Sequence, residues 1–591
     1  MEVRDYFTAR LAHLEERRAK KRGEIQRVVL LRVLSFFAVL LAIWPWLFQG
    51  PLWVWLAAIA GIIGLGLLVK IHVRLMNELR LFDATIGIVR GELNAVEGSH
   101  DHWQSGEQFR AIDSNYSHDL DLFGKGSLFQ YLNRAGLSIG QSQLADWMKN
   151  PLLDADAIRI RQLAVEEMAD LPEWRQKLQA LGELVPENEL DVNALSSWAN
   201  SPFENGVPSW TKWLNWCWPL MFVSTLVAYN YDQIGDTILF IMLFLPLLIV
   251  GSRIKGTTAH FHRLEKVFKS FRSAAVIFEH LNEQPFSSVA NHAIRERCRG
   301  ASSAFRELAS TMELFDSRFN YIVGIFGNMV LYWDLMCVRR LGEWHRQYAH
   351  EVDEWLQALA EAEALSSLAA MRFNQKEHSV FPTFSAGDLA ASQLVHPLIK
   401  PSTRVSNTIN LGGNQFAIVT GANMAGKSTF LRTIGVSLVL ASMGGPVIAT
   451  SFNFKPRKLY SSMRTEDSLY SNESYFFNEL KRLHTLVNLL NEGEEYFVIL
   501  DEILKGTNSK DKAEGSFKFI EKLTTLPCTG IVATHDLSLC ELEKVYPSQV
   551  VNLFFDVLIV DDDLHFDYQL RPGICENMNA TFLMHKMGIT S

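Results

Sequence analysis

The chain has 591 residues, of which 48% are hydrophobic and 20% are charged, and its formal net charge is −9 at pH 7. This length exceeds what one hydrophobic core supports and predicts about three or four folding units. The acidic balance argues against a globally basic nucleic-acid-binding protein. A mean hydropathy of +0.04 is high for a soluble enzyme and modest for a transporter. Six cysteines without metal-type spacing predict reduced thiols.

Two apolar, uncharged segments, 33–48 and 52–69, follow an N-terminal arm rich in Lys and Arg. Their length is near the lower limit for crossing a bilayer as helices, and the break Gln49-Gly50-Pro51 predicts a hairpin. A second pair of apolar segments, 213–229 and 234–252, is separated by Asn230-Tyr231-Asp232-Gln233 and predicts a second hairpin. Core helices of a soluble protein are the alternative interpretation of both pairs.

Lysines and arginines lie only on the outer flanks of both apolar pairs. The flanks include Arg17, Lys21, Lys70, Lys212 and Arg253, whereas the two short hairpin loops carry neither Lys nor Arg. Because positive loops stay in the cytoplasm, this distribution predicts a multi-pass protein of the inner (plasma) membrane. Its large domains and both termini would then face the cytoplasm.

Apolar residues at three- and four-residue spacing predict helices before and after the second pair, over 117–210 and 257–373. The second hairpin would therefore interrupt one helical domain. Basic residues from Lys266 to Arg272, and a cluster at Arg295, Arg297 and Arg299, could contact phosphates. Mixed charges on a helix are also typical of a solvated face, and that alternative stays open.

A phosphate-binding loop follows the apolar strand 415–420 and precedes the helical pattern 430–440. It is formed by Gly421, Ala422, Asn423, Met424, Ala425, Gly426, Lys427, Ser428 and Thr429. Glycines let backbone N–H groups surround phosphates, and the helix N-terminus favours negative charge. Lys427 is expected to reach the β- and γ-phosphates of a nucleoside triphosphate, and Ser428 to ligate Mg²⁺.

Two further apolar strands end in polar residues. The strand 496–500 leads into Asp501 and Glu502, and the strand 530–533 leads to His535. In this order, Asp501 would hold Mg²⁺, Glu502 would polarise the attacking water, and His535 would sense the γ-phosphate. A solvated strand end and a structural histidine are the alternatives.

These segments resemble the ATPase domain of the MutS family of DNA mismatch-repair proteins. The likeness rests on the phosphate loop with Asn423-Met424, on the segment from Ser474 to Glu479, on the segment from Asp501 to Ser509, and on His396-Pro397-Leu398. The resemblance implies that ATP binds at a dimer interface, where Ser474 of one subunit reaches the phosphates held by the other. Departures from the family pattern stand at Ala422, Tyr475 and Leu504-Lys505.

The resemblance continues in 122–134 and 140–167, which look like the start of the MutS lever domain. We find no candidate before this region for the domain that reads mismatches with a Phe-x-Glu wedge. Phe305-Arg306-Glu307 has the required letters, but its helical context predicts ordinary helix surface. Mismatch reading is therefore doubtful. Segments 550–555, 558–560 and 564–570 resemble the strands that close the MutS ATPase, with a terminal helix at 579–589.

The predicted fold is α plus α/β, with a helical lever-like domain and a C-terminal P-loop α/β ATPase domain. The expected parts are a basic arm (1–28), a transmembrane hairpin (29–70), a helical connector (71–116), the first lever part (117–210), the second hairpin (211–253), the second lever part (254–385) and the ATPase domain (386–591).

The predicted function is that of a membrane-anchored MutS-like ATPase. It would use ATP and Mg²⁺, act as a homodimer and bind DNA. One alternative is a regulatory or scaffolding ATPase at the membrane that acts on a protein partner. Another is a transporter of the ABC type, which lacks support because no Leu-Ser-Gly-Gly-Gln signature is present.

Overall fold

The computed structural model describes residues 2–44, 52–111, 114–186, 192–203, 211–264, 268–385, 387–463, 475–505, 508–560 and 563–575. Several sequence expectations lie outside these residues. They concern the turn at Gln49 to Pro51, Lys266, Ser474, Gly506 and Thr507, and the terminal helix at 579–589.

Two long antiparallel helices, α1 (Val3–Ile43) and α2 (Leu52–Val96), form the N-terminal part of the chain. A small apolar core joins their polar halves, and it consists of Phe7, Leu14, Ile86 and Val89. The predicted basic arm is therefore the first part of α1, and much of the predicted connector is the second part of α2. No Pro lies in either polar half, and the helices continue through Gly23, Gly87 and Gly91.

Apolar side chains cover the distal half of this helical pair. Leu41 is 70% exposed and Ile62 is 62% exposed. Within the described residues, one helix, Val54–Val96, is long and apolar enough to cross a membrane, and the apolar segment Asp236–Ser252 is shorter than required. The structure contains both predicted helical pairs, but their length and composition do not support two spanning hairpins.

The middle of the chain is helical. Its helices are α3 (Leu128–Leu132), α4 (Ser138–Lys149), α5 (Ala155–Ala169), α6 (Pro172–Glu183), α7 (Val192–Ala199), α8 (Thr211–Asn230), α9 (Asp236–Leu264), α10 (Phe268–Glu283), α11 (Val289–Arg297), α12 (Ala301–Asp316), α13 (Tyr321–Leu331), α14 (Trp333–Tyr348) and α15 (Val352–Asn374). The helices α8 and α9 form the second apolar pair, and the short apolar helix α13 packs against both.

Helix α15 is the centre of this helical domain and packs against α4, α5 and α11. Alanine and serine residues let its neighbours approach closely, and every residue from Ala358 to Met371 except Glu361 is buried. Phe305 of α12 is also fully buried and stacks on Phe278, with ring centroids 5.3 Å apart. The expectation that Phe305 lies on a helix surface was therefore wrong, because its aromatic ring fills the core.

The C-terminal part is an α/β domain. Its strands are β1 (Ser379–Val380), β2 (Thr383–Phe384), β3 (Leu389–Leu394), β4 (Asn407–Leu411), β5 (Phe416–Gly421), β6 (Val447–Ile448), β7 (Ser451–Phe454), β8 (Lys458–Ser462), β9 (Tyr496–Asp501), β10 (Cys528–Ala533), β11 (Val550–Phe555), β12 (Leu558–Val560), β13 (Asp563–His565) and β14 (Leu570–Pro572). Its helices are α16 (Lys427–Ser442), α17 (Tyr475–Asn491), α18 (Ser509–Thr524) and α19 (Leu542–Val545).

The main sheet of this domain has the strand order β14-β11-β5-β10-β9-β8. Only β14 is antiparallel to its neighbour. The central strands β5 and β10 are buried along their whole length, as expected for parallel strands covered on both faces. Because these strands are parallel, the carboxyl ends of β5, β9 and β10 lie at one edge of the sheet. The mixed helical and α/β architecture that the sequence predicts is confirmed.

Candidate nucleotide-binding site

The phosphate loop connects β5 to α16 and depends on two glycines with positive φ. Gly421 has φ 147° and Gly426 has φ 103°, values that side-chain-bearing residues rarely adopt. A Cβ on Gly421 would lie 2.8 Å from the carbonyl oxygen of Phe555, and one on Gly426 would lie 3.1 Å from Cδ1 of Tyr568. The loop can therefore turn tightly and bring the N-terminus of α16 to the sheet edge, where it favours an anion.

Lys427 is the first residue of α16 and is only 6% exposed. Its Nζ donates hydrogen bonds to the carbonyl oxygens of Gly421 (2.8 Å) and Ala422 (2.9 Å). Burial lowers the pKa of Lys427, and the nearby carboxylates Glu502 and Asp501 oppose this shift. The ammonium group thus lies within the loop and is bonded there to neutral carbonyl oxygens. A negatively charged phosphate would be a stronger hydrogen-bond partner for it.

Three charged or titratable side chains meet beside the phosphate loop. Nε2 of His535 lies 3.0 Å from Oε1 of Glu502 and 3.3 Å from Nζ of Lys427. The hydrogen bond with His535 is the largest influence on Glu502 and lowers its pKa to about 2. Glu502 is therefore an ionised carboxylate at neutral pH.

Backbone contacts hold this carboxylate in place. Asp501, the last residue of β9, pairs with Ala533 of β10. The backbone amide of Glu502 then donates a hydrogen bond of 2.9 Å to the carbonyl oxygen of Ala533. Glu502 has φ 51°, a strained value for a non-glycine residue that the neighbouring strand must stabilise. This backbone conformation turns the chain sharply after Asp501, so that the carboxylates of Asp501 and Glu502 both line the same cavity.

A cavity of about 610 Å³ lies over the loop, a size suited to a nucleotide. Its lining includes Asn423, Met424, Gly426, Lys427, Ser428, Thr429, Asp501, Glu502 and His535. Gly421, Ala422 and Ala425 belong to the same loop without lining this cavity. Ser474 lies outside the described residues. The structure thus brings together the residues that the sequence suggested from three separate segments.

The opposite wall of the cavity was not predicted as a binding surface. It is formed by Ile399, Val405, Asn407, Phe555 and Tyr568. The Tyr568 side chain is 44% exposed, and its carbonyl oxygen accepts a hydrogen bond of 3.0 Å from the Asn407 side chain. An aromatic ring beside a phosphate loop suits the stacking of a nucleobase. Nothing in the sequence indicated that residue 568 lies beside residue 426. The pairing of β14 with β11 brings them together.

His396, from the motif upstream of the loop, also lines this cavity. Its Nδ1 accepts a hydrogen bond of 3.2 Å from the amide of Leu398. Burial lowers the pKa of His396 to about 4, and nearby Arg432 acts in the same direction. The ring is therefore neutral at physiological pH and contributes shape rather than charge to this wall.

The donor set of the cavity fits Mg²⁺ together with a polyphosphate. The Ser428 hydroxyl and the Asp501 carboxylate line the same space and supply oxygen ligands, which Mg²⁺ prefers. No cluster of three or more His, Cys, Asp or Glu residues that could hold a metal by itself occurs in the described part of the chain. This pattern fits an ion that takes most of its ligands from phosphate oxygens and water.

The fold and this site define a P-loop nucleotide-binding α/β domain joined to a helical domain. Residues 111–369 match the family profile of MutS domain III, and residues 417–585 match that of MutS domain V. The chain therefore belongs to the MutS family, as its motifs predicted.

Curated proteins give the same relationship. The chain is 29% identical to human MutS protein homolog 4 over 202 residues, which cover 32% of this chain and 21% of the human protein. It is 30% identical to the DNA mismatch repair protein MutS of Thermotoga maritima over 238 residues, covering 39% and 29%. A MutS protein from a Synechococcus strain matches at 25% identity over 489 residues, covering 76% of this chain and 55% of that protein. The matches thus span about a fifth to about half of these relatives.

Proposed function

We propose that this chain is a Mg²⁺-dependent ATPase. The observation that supports this proposal is the position of His535 at the end of a phosphate loop, where its Nε2 lies 3.0 Å from Glu502 and 3.3 Å from Lys427. Upon ATP binding, Lys427 exchanges its loop carbonyl partners for the β- and γ-phosphates. Glu502 orients and polarises the attacking water, and His535, already hydrogen-bonded to Glu502, contacts the γ-phosphate.

Ser428 and Asp501 are the residues that would hold Mg²⁺, which neutralises charge on the phosphate oxygens when it is bound. Tyr568, whose ring lies beside Gly426, would stack on the adenine.

The test is the rate of phosphate release from ATP by the purified full-length chain, with and without Mg²⁺. Lys427→Ala should lose binding of a fluorescent ATP analogue and all turnover. Lys518→Ala is a matched control, because Lys518 is an exposed lysine of α18 that pairs only with Glu514 in the structure described. Equal turnover in the wild type and in Lys427→Ala would refute the assignment.

We propose further that the active unit is a dimer, as the family resemblance implies. Ser474 of one subunit would complete the site that Lys427 builds in the other. A mixture of Ser474→Ala chains with Lys427→Ala chains would then contain one intact composite site per mixed dimer. Partial recovery of ATPase activity on mixing supports this arrangement. Full activity in a strictly monomeric protein would contradict it.

The names of the bacterial relatives point to DNA as the molecule acted on, and we propose DNA as the ligand of the helical domain. The basic cluster foreseen there is partly neutralised. Arg297 forms an ion pair with Glu361, Arg299 lies 2.7 Å from Glu296, and Arg272 lies 2.9 Å from Glu313. Binding would then come from phosphate contacts that compete with these ion pairs, and such contacts weaken steeply with salt.

Stimulation of ATP turnover by duplex and branched DNA, measured across a salt series, tests this proposal. We expect a preference of less than about tenfold for a G·T-containing duplex over the perfect duplex, which is about 1.4 kcal/mol. Stimulation by a protein partner and none by any DNA would instead support a regulatory or scaffolding ATPase. Stimulation by a transported solute in liposomes would support a transporter.

We also propose that the two apolar helical pairs attach the chain to the inner membrane, with both termini in the cytoplasm. The support is the outward-facing apolar surface of α2, which meets the length and polarity of a span, together with hairpin loops that carry neither Lys nor Arg. Trp216 of α8 is 78% exposed, which is unusual for an aromatic side chain in water. The protein should stay in the membrane pellet after carbonate extraction, and release into the supernatant would refute membrane insertion.

A further inference from the structure

Helix α17 carries a buried carboxylate that contacts the turn after the proposed catalytic residue. Glu479 is 3% exposed, and its two oxygens accept hydrogen bonds from the backbone amides of Leu504 (2.5 Å) and Lys505 (3.0 Å). These amides follow Glu502 by two and three residues. Burial raises the pKa of Glu479, and the two amide bonds oppose that shift.

The turn that Glu479 contacts is under backbone strain. Glu502 has φ 51° and Leu504 has φ 60°, although neither is a glycine. Such conformations persist only when surrounding contacts hold them. On one side, the amide of Glu502 donates to Ala533 of β10. On the other side, the paired hydrogen bonds to Glu479 hold the backbone at the strained Leu504 and at Lys505.

One turn further along α17, Arg482 contacts the helical domain. Its Nη2 donates to Oδ2 of Asp119 (2.9 Å) and to the carbonyl oxygen of Ser461 (2.8 Å). Asp119 is buried, precedes α3, and also accepts from the Ser461 hydroxyl at 2.7 Å. The Asp119 carboxylate is fully buried and the Arg482 side chain is 27% exposed, so this ion pair joins α17 to a packed position of the helical domain.

The two contacts lie three residues apart on one helix, so a shift of α17 moves both. We propose that Glu479 is a positioning residue for ATP hydrolysis, and that α17, through Arg482 and Asp119, ties the position of the Glu502 turn to the helical domain. This inference rests on the proposed ATPase function. Glu479 does not line the nucleotide cavity, so its removal should alter turnover and leave ATP binding intact.

The first experiment compares Glu479→Gln and Glu479→Asp with the wild type. Glutamine can accept from only one of the two amides and turns an NH₂ group toward the other, whereas aspartate is too short to reach both. Both variants should lower kcat at least tenfold and leave the Kd of a fluorescent ATP analogue within threefold of the wild type. Glu514→Gln, an exposed substitution on α18, should change neither quantity.

The second experiment concerns the link to the helical domain. Arg482→Met keeps the aliphatic part of the side chain and removes its charge. It should lower kcat without changing Kd, and the double variant with Glu479→Gln should lose less than the product of the two single effects. Loss of kcat in Glu479→Gln with an unchanged kcat in Arg482→Met would overturn the link to the helical domain.

Failure of this inference can be told from failure of the proposed function by including Glu502→Gln. If the wild type does not hydrolyse ATP, or if Glu502→Gln hydrolyses it normally, the proposed catalytic assignment fails. If Glu502→Gln is slow and both Glu479 variants turn over within twofold of the wild type, only the positioning role is overturned.

Discussion

Substitution of Glu502 by glutamine gives the sharpest test of the site. Glutamine has the same shape, and its Oε1 can still accept the hydrogen bond that joins Glu502 to His535 at 3.0 Å. The change therefore removes a negative charge with little change in packing. Because the pKa of Glu502 is lowered to about 2, the wild-type side chain is fully ionised at any pH used for an ATPase assay.

The expected loss follows from the role of that charge. A positioned carboxylate that accepts or polarises a proton contributes about 10²- to 10⁴-fold to a rate, equivalent to about 2.7–5.4 kcal/mol of activation free energy. Lys427 keeps its contacts with Gly421 and Ala422 in the variant, so the phosphate-binding part of the loop is unchanged. Removal of a carboxylate near the polyphosphate should, if anything, tighten ATP binding.

Single-turnover hydrolysis and the Kd of a fluorescent ATP analogue separate these two effects. We expect the hydrolysis rate of Glu502→Gln to fall by about 10² or more, with an equal or lower Kd. A hydrolysis rate within threefold of the wild type would refute the assignment of Glu502. A large increase in Kd would show instead that Glu502 shapes the binding pocket.

Three further predictions concern other parts of the chain. Tyr568→Ala should weaken ATP binding by about 1–3 kcal/mol, the range for loss of base stacking, whereas Tyr568→Phe should bind normally; equal Kd values for both would exclude stacking. Glu92→Gln should lower the free energy of unfolding by about 3–5 kcal/mol, because Glu92 and Arg134 form a buried ion pair at 2.6 Å, and a urea midpoint equal to that of the wild type would contradict this. Burial raises the pKa of Glu363 to about 8. The folded chain therefore keeps a proton that the unfolded chain releases near pH 4.5, so stability should fall as pH rises from about 4.5 to 8; Glu363→Gln should reduce this dependence, and identical pH profiles would argue against it.

Local sequence patterns predicted the nucleotide-binding domain because its candidate site residues lie in short, recognisable segments. A glycine-rich loop between an apolar strand and a helix can adopt few conformations, so Gly421, Gly426 and Lys427 already indicated the phosphate site. The parallel sheet then brings Asp501 and His535 to the same edge. This was expected, because both residues follow the carboxyl ends of apolar strands. Family membership follows from the same segments.

Contacts between distant segments were decided only by the tertiary structure. The ring of Tyr568 lies beside Gly426 because β14 pairs with β11, and the Glu479 carboxylate meets the Leu504 amide because α17 packs under the turn after β9. The same limit explains Phe305, whose helical spacing suited a surface as well as a core until Phe278 was seen to stack on it. Sequence periodicity specifies which residues share a face of an element. It does not specify which other element covers that face, because that choice depends on burial and on hydrogen bonds summed over the whole fold.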